Sequence, residues 1–416
     1  MSRPEPEPRA RRPAALDRRR LLQGGLLAVG STLVGPLLKL GWCRVPAGPA
    51  AAPIEVSTRA LDAVLATPVI DMLGLLTLDW PLLARWQSEA GAFGEPEFRQ
   101  LERSGIRVFH PAVETAARDP HRAALHWVAG WNLLTGGDGC FVGRVASVAD
   151  LDRLAAQGRL GVIVGFQDSD HFRSTRDVGR FFELGQRVSQ LTYNERNRLG
   201  SGCHSTRDRG LTEFGAAVVA EMNRVGMAID VSHCGERTSL EAIRLSRQPV
   251  LITHGNCRAL VPGERRCRSD ALIRAAAAKG GVMGITVVRP FVGAGAPSLD
   301  DLLDHFDHVR RLVGVEHVGL GSDLDVAPRA SRRGAARSLY EVRGLDPVAR
   351  VFQIADGLLR RGWRRAELEL VLGGNFRRAL AAIWPAAGIA GGAAGRRDPF
   401  CPAPDRRPPR DLSARG

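Results

Sequence analysis

Short, nearly continuous apolar runs recur along the chain and alternate with stretches of helical period. The runs cover residues 68–71, 107–110, 161–167, 188–193, 227–233, 250–254, 281–286 and 317–323. Unbroken apolar runs of this length suit strands buried on both faces, as in parallel sheets. Between them, residues 214–225, 239–245, 270–279 and 299–313 carry helical patterns. Alternation of β and α eight times predicts an α/β fold closed as a (β/α)8 TIM-type barrel. A doubly wound open sheet is the alternative, but no Gly-rich phosphate loop follows the first run, so a dinucleotide fold is poorly supported.

Most of the runs finish on a polar residue: Asp71, His110, Gln167, Tyr193, His233, His254 and Asp323. In a parallel barrel the C-terminal strand ends form the mouth where chemistry sits. One terminal histidine reads as a satisfied structural group. Two on successive strands, with a carboxylate ending the last, predict a shared site.

The chain has 416 residues, enough for one barrel with tails. Its formal charge of +14 invites a nucleic-acid reading. The distribution argues against that. Residues 1–52 hold nine Lys/Arg and three Asp/Glu, and residues 395–416 hold six Arg and three Asp, so the middle keeps only +5 and no basic stripe. Only Lys39 and Lys279 are lysines, so the positive charge is almost all arginine. The seven cysteines include no C-x-x-C pair and do not space as a disulfide scaffold or zinc ribbon.

Residues 1–52 read as an address: Arg18-Arg19-Arg20, an apolar stretch to about Leu40, then small residues. The order resembles a twin-arginine signal and predicts an exported, periplasmic protein, with an uncleaved membrane anchor as the alternative. The barrel is expected over 53–386. Residues 387–416, rich in Gly, Pro and Arg, predict a disordered tail.

The text from Leu191 to Asp270 resembles the membrane (renal) dipeptidase family of the amidohydrolase superfamily. It carries Leu191-Thr192-Tyr193-Asn194, Gly210-Leu211-Thr212-Glu213-Phe214-Gly215, Ile229-Asp230-Val231-Ser232-His233 and Thr253-His254-Gly255-Asn256. Gly319-Leu320-Gly321-Ser322-Asp323 and Leu372-Gly373-Gly374-Asn375 extend the match over roughly 60–385. The resemblance implies a two-zinc barrel that hydrolyses dipeptides with a metal-activated water. It makes His233 and His254 ligands of one metal, Asp323 the carboxylate that handles the water's proton, and Arg266 the clamp for the substrate carboxylate. It also implies a small peptide substrate and a homodimer.

The departures concern the other metal. The family's His-x-Asp after the first strand falls on Leu73 and Leu75, which cannot coordinate zinc. The bridging glutamate falls on Gln167, whose amide has no charge to balance two dications about 3.5–4 Å apart. The substrate-holding histidine falls on Tyr193. The expectation is therefore one zinc ion, not two, on His233 and His254, completed by Gln167 or Asp323 and water. His110, Asp168 and Asp170 are less favoured substitutes. A metal-dependent dipeptidase-like hydrolase is the first reading, and a non-catalytic binding or scaffold protein on the same barrel is the second.

Overall fold

The computed structural model describes residues 41–47, 52–89, 91–115, 117–136, 141–326 and 339–384. Most of the N-terminal address and the whole 387–416 tail lie outside the described residues. Among the described residues no helix is long and apolar enough to cross a membrane.

The eight runs form eight parallel barrel strands. They are β1 (Val69–Asp71), β2 (Ile106–Phe109, resuming as Ala112–Val113), β3 (Leu160–Val162, resuming as Val164–Phe166), β4 (Gln186–Gln190), β5 (Ala228–Asp230), β6 (Val250–Gly255), β7 (Met283–Ile285) and β8 (Val318–Leu320). Each pairs with its neighbour in chain order, and β8 returns to β1 through the register Leu320↔Asp71. The ring closes through β3. Its first half pairs with β2, its second half pairs with β4, and Ile163 N donates to Phe109 O at 2.9 Å between them. The barrel is thus closed, with Val142–Arg144 added in parallel outside β3.

The strands are shorter than the apolar runs because the chain turns into mouth loops before each run ends. Asp71 is the last residue of β1 and His254 lies within β6, but His233 and Asp323 sit three residues beyond β5 and β8. The helices start where capping chemistry allows. Thr212 Oγ1 accepts from Gly215 N, Ser269 Oγ accepts from Leu272 N, and Ser298 with Asp301 caps Leu299–Val313.

Inward residues Ile70, Val108, Ile163, Val188, Ala228 and Leu251 form one apolar layer with Phe376, Leu380 and Ile383. Those last three lie on the helix Asn375–Ile383, which packs against this layer. One strand pair was not expected. Trp42–Val45 pairs antiparallel with Ile54–Ser57 and buries Val45, so the folded body extends into the segment read as an address.

The seam between β1 and β8 is polar. Asp71 accepts from Ser322 N at 2.8 Å, from Ser322 Oγ at 2.5 Å and from Arg350 Nη2 at 3.3 Å, all buried. Met72 N and Asp323 N continue the seam to Leu320 O and Leu73 O. Close approach elsewhere needs glycine. A Cβ on Gly321 would lie 1.9 Å from Thr253 O and 3.1 Å from His254 Cα. We therefore expect Gly321→Ala to cost about 2–3 kcal/mol or more by forcing β8 from β6, read as a fall in the midpoint of urea unfolding.

Candidate active site at the barrel mouth

His233 and His254 are placed by one buried carboxylate. Asp230 Oδ1 accepts from Ser232 N at 3.0 Å, Ser232 Oγ at 2.5 Å and Thr253 N at 3.0 Å, and its Oδ2 accepts from Thr253 Oγ1 at 2.7 Å. Ser232 Oγ in turn receives His254 N at 3.1 Å. The residues before both histidines are thereby held on the ends of adjacent strands. The two Nε2 atoms face each other at 2.9 Å, with ring centroids 4.9 Å apart. The outer nitrogens are also engaged, His233 Nδ1 with Asn194 Oδ1 at 2.7 Å and His254 Nδ1 with Thr253 Oγ1 at 2.9 Å. Burial first, and the Arg266 guanidinium second, hold both imidazoles well below the usual histidine pKa.

Tyr193 stacks on the His233 ring at 4.2 Å and 23°. Burial, with Asp323 adding, pushes its phenol up to about 12, so it stays a hydrogen-bond donor. Arg266 is not a solvated loop arginine. It is 1% exposed, its Nη2 donates to His254 O at 2.9 Å, and its Nε and Nη1 are buried without a hydrogen-bond partner. Unpaired buried donors on a guanidinium are costly. Phe291 lies beneath the guanidinium, 5.5 Å from ring centroid to Cζ. The neighbouring Arg268 is buried too, but fully used, donating to Cys234 O, Arg265 O and Arg266 O, and so locks the Arg266 loop to the residue after His233.

Asp323 is half-buried at the same mouth, with φ +57°, a left-handed conformation that Asp tolerates better than most residues. Burial pushes its carboxyl up to about 7; Arg266 opposes the rise and Asp71 adds to it. His233, His254, Tyr193, Asp323 and Arg266 therefore lie in one electrostatic neighbourhood centred on Arg266.

Gln167 joins less closely. Its Nε2 donates to Ala112 O at 3.0 Å, and no hydrogen bond among the described residues links it to either imidazole. Asp168 accepts from Asp170 N at 2.5 Å and Asn197 Nδ2 at 3.2 Å, which tie it to its own loop. His110 is buried with Nδ1 on Met72 O at 2.6 Å. Leu73 and Leu75 are buried at 0% and 5% exposure. The support residues Asp230, Asn194, Thr253 and Arg268 were not singled out from sequence. An Asp two residues before Ser-His and a Thr directly before His were the available signals.

A family model for membrane dipeptidase, peptidase family M19, matches residues 138–387. This chain belongs to the membrane dipeptidase family. Dipeptidase verJ of Clonostachys rogersoniana is 30% identical over 229 residues, 54% of this chain and 56% of that protein. Dipeptidase 3 of Rattus norvegicus is 29% identical over 239 residues, 56% of this chain and 46% of that protein. The chain thus spans about half the length of the curated relatives it matches. An amidohydrolase from Pseudomonas aeruginosa superposes with TM-score 0.67 and 27% identity, over 78% of this chain and 99% of that one. A metallo peptidase from Rhodobacter sphaeroides, solved with a phosphinate mimic of L-Ala-D-Ala, superposes with TM-score 0.62 at 18% identity, over 76% of this chain and 99% of that one, and shows the fold.

Within that family the donor set here is partial. Among the described residues no cluster of three or more His, Cys, Asp or Glu side chains is arranged to hold a metal ion. Leu73 and Leu75 are buried and apolar and Gln167 is a neutral amide, so none of the three brings a charge to the site. The converging Nε2 atoms of His233 and His254, whose outer nitrogens are already hydrogen-bonded, have the donor chemistry to supply two ligands to a metal ion.

The raised pKa of Asp323 carries a stability signature. Its folded value of about 7 exceeds the ordinary aspartate value, so its contribution is full below about pH 4 and is lost as pH rises through 7. Asp323→Asn is therefore expected to match the parent near pH 4 and to be more stable at pH 8, by on the order of 2 kcal/mol, as read by urea unfolding at both pH values.

Proposed function

We propose that this chain is an amide hydrolase of small peptide-like substrates bearing a free carboxylate, dipeptides foremost, working with at most one zinc ion. The observation that carries the reading is buried Arg266, with two unpaired guanidinium nitrogens beside the imidazole pair. A planar guanidinium suits bidentate carboxylate binding, and a carboxylate would satisfy both orphaned donors. Membership of the dipeptidase family supports the same class of chemistry.

His233 and His254 would hold the ion, which when bound polarises the scissile carbonyl and acidifies a water. The chain's own residues do the rest. Arg266 orients the substrate through its carboxylate. Tyr193, stacked on His233, presents a neutral hydroxyl at the same mouth. Asp323, with its carboxyl near neutrality, accepts the proton of the attacking water on a carboxylate oxygen and can return it to the leaving amine. Gln167, tied to Ala112 O, lines the mouth without adding charge.

The burial of Leu73 and Leu75 favours a second reading, a barrel that binds such ligands without turnover. Export through the Arg18-Arg19-Arg20 segment, with or without membrane anchoring, and dimerisation belong to this proposal and rest on the sequence alone.

A dipeptide panel with free and amidated C-termini, run beside metal analysis, tests these readings. Hydrolysis confined to free carboxylates, with zinc not above one per chain, is expected, and His233→Ala should abolish both turnover and bound metal. Zinc near two per chain would overturn the single-ion reading. Binding without turnover in the zinc-loaded protein would establish the second reading instead. Arg266→Lys should raise KM about 10–100-fold with a smaller change in kcat, since an ammonium cannot make the paired contact.

The pH dependence follows from Asp323. As a base it must be ionised, so kcat/KM is expected to rise with pH through about 7. A steady-state profile should show that limb, and Asp323→Asn should lower the rate and flatten it.

A further inference from the structure

We propose that Asn194 and Thr253 are positioning residues that hold His233 and His254 each hydrogenated on Nδ1, so that the pair turns two nitrogen lone pairs toward one point. The proposal deepens the reading of this imidazole pair as the working end of the site, and rests on it.

The argument for His254 is a count of hydroxyl hydrogens. Asp230 accepts from Ser232 Oγ at 2.5 Å and from Thr253 Oγ1 at 2.7 Å. A hydroxyl has one hydrogen. Thr253 has committed its own to Asp230, so it meets His254 Nδ1 at 2.9 Å as an acceptor. The hydrogen of His254 therefore sits on Nδ1, and its Nε2 carries a lone pair.

The argument for His233 rests on which end of an amide faces it. Asn194 Oδ1 is 2.7 Å from His233 Nδ1 and 3.6 Å from Cys203 Sγ, whose S–H donates to it. The Cys203 S–H donor sets the amide with its oxygen inward, so His233 Nδ1 meets an acceptor and must be the donor. The arm that holds Asn194 is itself pinned. His204 N donates to Asn194 O at 2.8 Å, and Cys203 N donates to His233 O at 2.8 Å. Gly202 packs so closely that a Cβ there would lie 2.2 Å from Tyr193 O and 2.3 Å from Asn194 C. Tyr193 covers one face of the His233 ring. The ring is fixed in plane by Asn194 and against rocking by Tyr193.

With both hydrogens on the outer nitrogens, the two Nε2 lone pairs oppose each other across 2.9 Å. That arrangement is unfavourable alone and favourable around a cation, which is why the outer partners matter. An apolar side chain at 194 would free His233 to move its hydrogen inward and donate to His254, closing the chelate.

The test uses the full chain labelled with 15N-histidine, metal-free and with one equivalent of Zn2+. Long-range 1H–15N correlations report which nitrogen carries hydrogen on each ring. We expect Nδ1–H on both rings of the zinc-loaded protein. In the metal-free protein Asn194→Leu should shift His233 toward Nε2–H and leave His254 unchanged, Thr253→Val should shift His254, and Asn194→Asp, which keeps an acceptor, should restore the parent pattern. Zinc affinity should fall about 10–100-fold in Asn194→Leu and recover in Asn194→Asp. Nδ1–H retained on His233 in folded, metal-free Asn194→Leu would overturn the proposal. So would Nε2–H on His233 in the zinc-loaded parent, which needs no variant to fold. These signals do not depend on turnover. A parent protein with Nδ1–H on both rings and no hydrolysis would sink the hydrolase reading and leave this one standing, and active protein with the opposite tautomers would do the reverse.

Discussion

The site depends on one buried carboxylate. Asp230 receives two backbone and two hydroxyl donors from Ser232 and Thr253, the residues that immediately precede His233 and His254. Adjacent parallel strands alone would place two histidines near each other, but not at a fixed angle, because loops leave strand ends in varied directions. Tying both pre-histidine residues to one anion removes that freedom. Every other feature of the mouth is arranged around the resulting pair, from the Tyr193 stack to the Arg266 guanidinium on His254 O.

A second buried carboxylate plays the matching part at the opposite seam. Asp71 draws Ser322 and Arg350 to the junction of β1 and β8, where the barrel closes and Asp323 emerges. Arg350 is wholly buried and also donates to Leu324 O and to Asp325 O, so its charge is matched by an ion pair and by carbonyls. Breaking such a pair leaves an uncompensated buried charge. The apolar Leu73 and Leu75 segment is thus anchored beside this polar seam, with Leu73 O accepting from Asp323 N.

Charge balance accounts for what is left. Burial first, and then the Arg266 and Arg268 guanidinium groups beside the imidazoles, keep both rings neutral. Neutral rings are the form that ligates a metal. The same Arg266 lowers the cost of ionising Asp323, which burial and Asp71 raise. One guanidinium therefore eases ionisation of Asp323, adds to the burial that holds both imidazoles neutral, and keeps two buried donors without a hydrogen-bond partner.

Much of this was legible in the chain itself. Apolar runs buried on both faces, eight times over, determine a parallel sheet covered by helices on the outside, and the β8–β1 pairing then shows that it closes. The polar residues that end those runs determine where the mouth lies, and the identities of Leu73, Leu75 and Gln167 show that those three positions supply no charge. The chain alone could not distinguish a solvated Arg266 from a buried one, since an arginine-rich loop reads the same either way. Nor could it show that Gln167 is tied to Ala112 O, that Trp42–Val45 joins the folded body, or that Asn194, Cys203 and Thr253 orient the two rings. Those outcomes were decided by tertiary structure, because each depends on a hydrogen bond or contact between segments that sequence spacing does not relate.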